Sequence, residues 1–490
     1  MATVAAKPAA CCADPAARRL AAVTSSATPP ISPPPPPSRE AAPVSTSAPP
    51  SSKFARLSPS HPSDPADAAA APDVAGVVAH LFRRESGRLV AILASRLGAA
   101  HLHLAEDVVQ DALVRAMQVW PFTGVPANPS AWLLQTARNR ALDTLRRGRT
   151  LERKSPALAS LIEDAARDAL AVKPPRFEEE IADSQLRMMF VCCHPGLAAD
   201  AQTALVLKTL CGFGEREIAA AFLATEDAIV KKLVRARKFL REARVSTELP
   251  PVAKLAPRVA SVLHALYLLF NEGYKASHGD TLLRTELCAE AIRLGTLLAA
   301  HAIGARPETH ALLALMHLHA ARLPARMADD GSLLTLAVQD RAKWDRAKIR
   351  RALAHLEQSA AGETVTRYHV EAGLAAAHAL APSPEKTNWP HILELYDALL
   401  AIDPSPIVAL NRAIALAEVH GPEAGLRAIA ALKDRGTLER YHLFHAVRGQ
   451  LLQRAGQTAE ARIALERALE LAVLPAERKF LAGKLEFCRT

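Results

Sequence analysis

The sequence predicts an all-α protein: two small helical domains, the second carrying a helix-turn-helix, then a long region of helical repeats, all after a disordered N-terminal tail. Half of the 490 residues are apolar but only 4% are aromatic, so any core must be built from Ala, Leu, Val and Ile. Ala and Leu favour helices, and runs of β-branched residues alternating at period two are scarce. Beyond residue 73, apolar side chains recur at spacings of three and four, the period of a one-sided helix.

Residues 1–72 form the predicted tail. Ala, Ser, Thr and Pro dominate it, and five prolines run from Pro33 to Pro37. Such a segment buries too little apolar surface to order itself, and proline runs favour extended chain. Poor in acids, it faintly resembles an organelle transit peptide; a plain disordered tail or a misassigned start are the competing readings. The first domain is placed at 73–150. Val77, Val78, Leu81 and Phe82, then Leu89, Ile92, Leu93 and Leu97, mark a helix or helix pair. A second helix over 105–120 turns Val108, Val109, Ala112, Leu113 and Ala116 inward. The turn formers of 121–129 predict a loop, with Ser130 as N-cap of a third helix over 131–147. Residues 151–182 read as a linker, ending near Lys173-Pro-Pro175 and Glu178-Glu-Glu180.

The second domain is placed at 183–246, and Pro250-Pro251 mark the next boundary. In the last region, 255–490, Trp389, Leu393 and Tyr396 open a helix, while Pro404 and Pro475 are expected to end helices. An offset of 35 residues superposes Gly421 on Gly456, Leu416 on Leu451, Ala424 on Ala459 and Arg427 on Arg462. A period near 34 with small residues at packing positions is the mark of tetratricopeptide repeats, against which an irregular helical bundle stands as the alternative. The pattern offers no apolar stretch of the eighteen or so residues needed to cross a bilayer, so a soluble, cytoplasmic chain with no membrane partner is expected.

The formal charge is +10, and its location matters more than its size. Residues 138–154 hold seven Lys/Arg against two acids, and residues 226–244 hold seven against three. These local surpluses of +5 and +4 nearly equal the whole excess. Concentrated cationic patches release counterions from polyanions, which makes nucleic acid the leading partner. The second patch follows a short turn after an apolar helix, the order of a helix-turn-helix. Ile218, Ala219 and Phe222 give the first helix its inward face, and Ile229, Leu233 and Leu240 give the second one. Lys231, Lys232, Arg235, Arg237, Lys238 and Arg241 are then left for the outside, unless the segment is merely a solvated basic face.

Seven cysteines without framework spacing suit a reducing compartment. Cys192-Cys193-His194 invites a metal reading, but adjacent cysteines with no second ligand pair read as buried thiols after Met188, Met189 and Phe190, and no metal or cofactor is expected. Phosphate-binding glycine loops and paired catalytic carboxylates have no match, so the chain reads as a non-enzyme. Gln339 to Arg346 alternates charges around Trp344; an internal ion-pair network around a packed Trp competes with a protein- or ligand-sensing surface.

Residues 105–117 and 131–147 resemble region 2, and residues 203–241 resemble region 4, of the bacterial extracytoplasmic-function sigma factors. Three motifs in the right order carry this resemblance over about 74–245. The stretches 190–195 (FVCCHP), 267–274 (YLLFNEGY), 312–322 (LLALMHLHAAR) and 339–346 (QDRAKWDR) resemble the subgroup with a C-terminal tetratricopeptide-like extension. The resemblance implies a transcription-initiation subunit with core RNA polymerase and promoter DNA as partners. Asp107, Gln110, Asp111 and Arg115 would then dock on core polymerase. The loop 121–129 would help capture a flipped base of the −10 element, and Trp132, Arg138, Asn139, Arg146 and Arg147 would contact that DNA. Thr225, Glu226, Ala228, Lys231, Lys232 and Arg235 would meet the −35 element. Region 255–490 would regulate the protein by binding core enzyme or another protein. Two other readings are a helix-turn-helix regulator acting without polymerase and a helical-repeat scaffold.

Overall fold

The computed structural model describes residues 74–151 and 183–488, except 223, 280 and 433–434. The predicted tail and nearly all of the predicted linker lie outside the described residues. Regular structure among the described residues is helical, with one isolated antiparallel bridge between Met327 and Leu333.

Helix α1 runs unbroken over Val74–Leu97, so of the expected helix or helix pair it is the single helix that forms. Phe82, expected inside, is 37% exposed. Helix α2 spans Leu102–Thr123 and carries the expected apolar stripe, to which Trp120 adds a fully buried ring. Pro121 belongs to its last turn rather than to a loop. The turn is made at Gly124, whose φ of 78 suits glycine. Helix α3 begins at Pro129 and continues to Leu151, past the predicted 147. Its N-terminal amides are capped by Asn128, whose Oδ1 accepts from Ala131 N at 3.0 Å, and not by Ser130.

Helices α4 (Ser184–Cys192), α5 (Ala199–Leu210), α6 (Glu215–Ala221) and α7 (Glu226–Glu242) follow. Asp183 caps α4 by accepting from Gln185 N and Leu186 N. Met188, Met189, Phe190, Cys192 and Cys193 are wholly buried, and burial pushes the Cys193 thiol up to about 12. After a one-turn helix at Val252–Leu255 come α8 (Val259–Tyr274), α9 (Thr285–Ala299), α10 (Pro307–Ala321), α11 (Arg346–Ser359) and α12 (Arg367–Leu380). Contrary to expectation, the 22-residue stretch Ala253–Tyr274 is long and apolar enough to cross a membrane. Much of it is buried within the fold, where α8 packs on α5, α9 and α10, so its apolarity serves the core.

One contiguous core runs through all of this, from Val74 to Ala379. Beyond it the packing changes. Helices α13 (Trp389–Ile402), α14 (Pro406–His420), α15 (Pro422–Ala430), α16 (His442–Arg454), α17 (Thr458–Leu471) and α18 (Pro475–Phe487) stack in order over small separate cores. Pro475 starts a helix rather than ending one, the position where a missing N–H costs nothing. Gly421 and Gly456 share positive φ values of 88 and 76 at the ends of α14 and α16. Ala424 is buried while Ala459 is exposed, so the offset of 35 relates the turns but not the helix faces. The stack returns on itself: Glu477 of α18 accepts from Lys275 at 2.8 Å, and Lys479 reaches the Asp330 carboxylate at 2.7 Å.

Candidate nucleic-acid interface

The polar face of α2 is built as its periodicity predicts. Asp107, Gln110, Asp111 and Arg115 are all exposed on the side opposite the buried stripe. They are not all unengaged. Arg140 of α3 reaches Asp111 at 3.1 Å, and His103 lies 3.5 Å from Asp107. Both are surface pairs, each worth about 0–1 kcal/mol. Asp107 and Gln110 also border a cleft of about 250 Å³ between α1, α2, α5 and α7, with Lys208, Thr209 and Arg237 across from them.

On α3, Trp132 is half-buried and meets the buried Trp120 edge-on at 5.3 Å, so one of its faces is spent on the core. Arg138 is half-buried, and Asn139 is exposed and accepts a hydrogen bond from Gln135 at 3.0 Å. Arg146 and Arg147 are exposed one turn and more beyond, so the basic residues follow the outer side of α3. Residues Gly124 to Asn128 leave the loop between α2 and α3 at the surface beside Trp132.

The helix-turn-helix is α6 and α7. Gly214 N donates to Glu217 Oε2 at 2.7 Å, fixing the start of α6. Thr225 Oγ1 accepts from Ala228 N at 3.3 Å, fixing the start of α7. Ile229, Leu233, Ala236 and Leu240 are buried at spacings of three and four, which leaves Glu226, Ala228, Lys231 and Arg235 exposed. Glu226 lies 3.9 Å from Arg216. Lys232 is less free than its pattern suggested: it sits 3.3 Å from Asp200 and 5.2 Å over the Phe222 ring.

Arg237 departs from the expectation altogether. It turns away from the basic face and donates to Glu106 of α2 at 2.6 Å, with the carboxylate side chain only 9% exposed. The pair therefore ties the helix-turn-helix to the first three helices. Glu106 sits among the apolar positions of α2, and Arg237 follows Leu233 by four and precedes Leu240 by three. A charged residue on each of two apolar stripes was a readable sign that something had to neutralise it. Close packing reinforces the tie. A Cβ on Gly87 would lie 1.8 Å from the Leu210 carbonyl oxygen, so only glycine lets α1 approach the end of α5.

Helices α8 and α9 hold the same unit from the other side. Arg284 reaches Glu217 at 2.6 Å, Arg293 reaches Asp183 at 2.8 Å, and the buried Arg258 donates to the Phe190 carbonyl at 2.8 Å. These partners could not be read from spacing, because each spans dozens of residues.

Residues 81–150 match the family described as Sigma-70 region 2. That stretch of the chain is a sigma-70 region 2 domain. Sigma factors act in transcription initiation, and binding to core RNA polymerase and promoter DNA goes with the family. Residues 258–360 match a family of unknown function, DUF6596, which begins at the arginine that holds α4. The chain is also similar to an uncharacterized protein of Rhizobium meliloti (strain 1021), 38% identical over 388 residues, covering 79% of this chain and 90% of that one. No solved structure matches the chain.

Proposed function

We propose that this sigma factor is of the extracytoplasmic-function type, with −10 recognition on α3 and the loop before it, −35 recognition on α7, and a regulatory tetratricopeptide-like region. The carrying observation is a second exposed basic helix, α7, capped and packed as a groove-reading helix behind region 2. A groove-reading helix needs donors on one face and packing on the other, which Lys231 and Arg235 against Ile229 and Leu233 supply. In this reading Asp107, Gln110, Asp111 and Arg115 dock on core polymerase, and Trp132, Arg138, Asn139, Arg146 and Arg147 contact the −10 strand. Opening that strand requires trapping a base out of the stack, which cationic anchoring and an aromatic edge favour. Thr225, Glu226, Ala228 and Lys232 complete the −35 contacts.

The serial small cores after α12 support the repeat reading. The ion pairs that reach α4 and α6 from Arg293 of α9 and from Arg284 just before it support control of the helix-turn-helix unit by the C-terminal helices. Run-off transcription from a cognate promoter with purified core polymerase tests the assignment. Arg235→Ala and Asn139→Ala should each cut the transcript about tenfold, the effect of one to two lost nucleic-acid contacts. A variant protein that binds an operator alone and never needs Asp107 or Asp111 would instead establish a polymerase-independent regulator. Point variants are preferable to removing 255–490, which would strip the core that α8 shares with α5.

A further inference from the structure

The segment after α10 gathers three arginines that make no ion pair with a carboxylate among the described residues. Arg322 closes α10, Arg326 follows one turn later, and the short turn Arg341–Lys343 brings in a third guanidinium. Arg322 and Arg341 lie 5.8 and 4.6 Å from the centre of the Trp344 ring, so the two guanidinium groups share one indole. Arg326 lies 3.7 Å over the Tyr274 ring. Stacking fixes the plane of each guanidinium, which a surface arginine does not achieve.

Their hydrogen-bond partners are all neutral. Arg322 donates to Gln339 at 3.3 Å, Arg326 to the Tyr274 carbonyl, and Arg341 to the carbonyls of His378 and Ala381 at 2.9 and 2.7 Å. A guanidinium has five N–H donors, so most are unspent. Arg341 Nε and Trp344 Nε1 are buried without a partner, and Arg326 is only 8% exposed. Elsewhere Arg237, Arg284 and Arg367 each hold a carboxylate within 2.8 Å, whereas buried Arg258 is, like Arg322, Arg326 and Arg341, bonded to a neutral acceptor, the Phe190 carbonyl, but stands alone rather than in a cluster. Two acids act on the cluster only at longer range, Glu477 on Arg326 and Glu385 on Arg341, and their bonded partners lie elsewhere, Lys275 and His442 for Glu477 and Ser383 for Glu385. The histidines add no charge: burial, then Arg322 and Arg341, hold His378 down to about 4. Asp340 caps the backbone at Ala342, and Asp345 caps Lys348 N and pairs with the Lys348 ammonium at 2.5 Å, so among the described residues neither carboxylate is paired with the arginines beside Trp344.

A purely structural role accounts for part of this. Arg326 and Arg341 cap the carbonyl ends of α8 and α12, where a cation is favourable. It does not account for Arg322, whose one partner is an amide oxygen. One buried and two half-buried guanidinium groups held together with no carboxylate bonded to any of them repel one another, and an oxyanion offers paired acceptors that match the guanidinium fork.

We propose that Arg322, Arg326 and Arg341, stacked on Trp344 and Tyr274, bind a small-molecule oxyanion bearing phosphate or carboxylate groups. The ligand is small because Trp344, Gln339 and Arg326 leave only the flank at Arg322 and Arg341 partly open. The site is independent of the transcription reading, since the binding needs neither DNA nor polymerase.

Calorimetry on the full-length chain tests it, with inorganic pyrophosphate and citrate as probes against potassium chloride at matched ionic strength. One saturable site per chain is expected for at least one probe. Arg322→Gln should weaken it about tenfold or more, the loss of one charge-assisted contact, and Arg322→Lys should weaken it similarly because the planar fork is gone. Arg235→Gln, on the distant basic helix, should bind as the parent does. No saturable binding of either probe, or full binding by a folded Arg322→Gln or Arg322→Lys, overturns the proposal. Loss of binding in Arg235→Gln instead would move the site to α7. Binding of polyglutamate with neither small anion would make the cluster a docking surface for an acidic polypeptide.

Discussion

The helices before Ala379 and those after it solve the same packing problem in different ways. From Val74 to Ala379, one core joins region 2, the helix-turn-helix and the DUF6596 segment, and buried ion pairs cross the seams. From Val370 onward, each small core is lined by two or three consecutive helices, as in a one-dimensional stack. The first arrangement makes the position of α7 depend on residues more than a hundred positions away. The second adds helix upon helix, each packed on its neighbours, with α18 tied back to Lys275 and Asp330. A helix held by non-local contacts is one whose placement other parts of the molecule can influence.

The comparison breaks if the two regions respond alike to a core defect. Gly87→Val drives a side chain into the Leu210 carbonyl and should cost about 3 kcal/mol or more, lowering the main unfolding transition in urea. Leu395→Ala, in the first small core of the stack, should instead raise amide exchange locally by about 2–3 kcal/mol. Equal loss of the whole chain's stability from both would mean a single cooperative unit. Arg237→Ala comes next. It leaves the buried Glu106 with only His103, at 3.7 Å, beside it, at a cost of about 3 kcal/mol, and should increase protease cutting between α1–α3 and α7. If the melting point and the cutting pattern stay unchanged, the pair does not tie these parts together.

The smallest effects are on pH dependence, and they have opposite signs. Burial raises Glu272, in the large core, to about 7. The folded state therefore holds a proton that the unfolded state releases, and this contribution to stability fades as pH rises from about 4.5 to 7. Glu477 closes the stack: burial acts to raise it, but His442 and Lys275 outweigh that and bring it down to about 2. Its contribution is present above about 4.5 and is lost as pH falls towards 2. Glu272→Gln should flatten the first slope and Glu477→Gln the second, in urea melts taken across pH. A stability profile that neither variant changes would sink both assignments.

What was legible in the sequence was local. The spacing of Val108, Val109, Ala112 and Leu113, or of Ile229, Leu233 and Leu240, decides which face of a helix is inside before any partner is known. That is why the exposure of Asp107, Asp111, Lys231 and Arg235 could be read directly. The same logic failed where a side chain's environment lies outside its own helix. Arg237 counted as a surface cation until Glu106 was seen beneath it, and Lys232 until Asp200 and Phe222 were. Asn128 displaced Ser130 as the cap because loop geometry, not residue preference, chose between two good capping residues.

The sequence by itself determined that the chain is helical, that its charge is concentrated in two short segments, and that one of them follows a helix-turn-helix, because periodicity and charge are properties of neighbours in the chain. Only the tertiary structure decided that region 2 and α7 share a core, that α18 returns to Lys275, and that Arg322 and Arg341 meet at Trp344 while Arg326 lies over Tyr274. Those facts depend on which distant surfaces exclude water together, and the pattern along a helix records only that a face is buried, not what buries it.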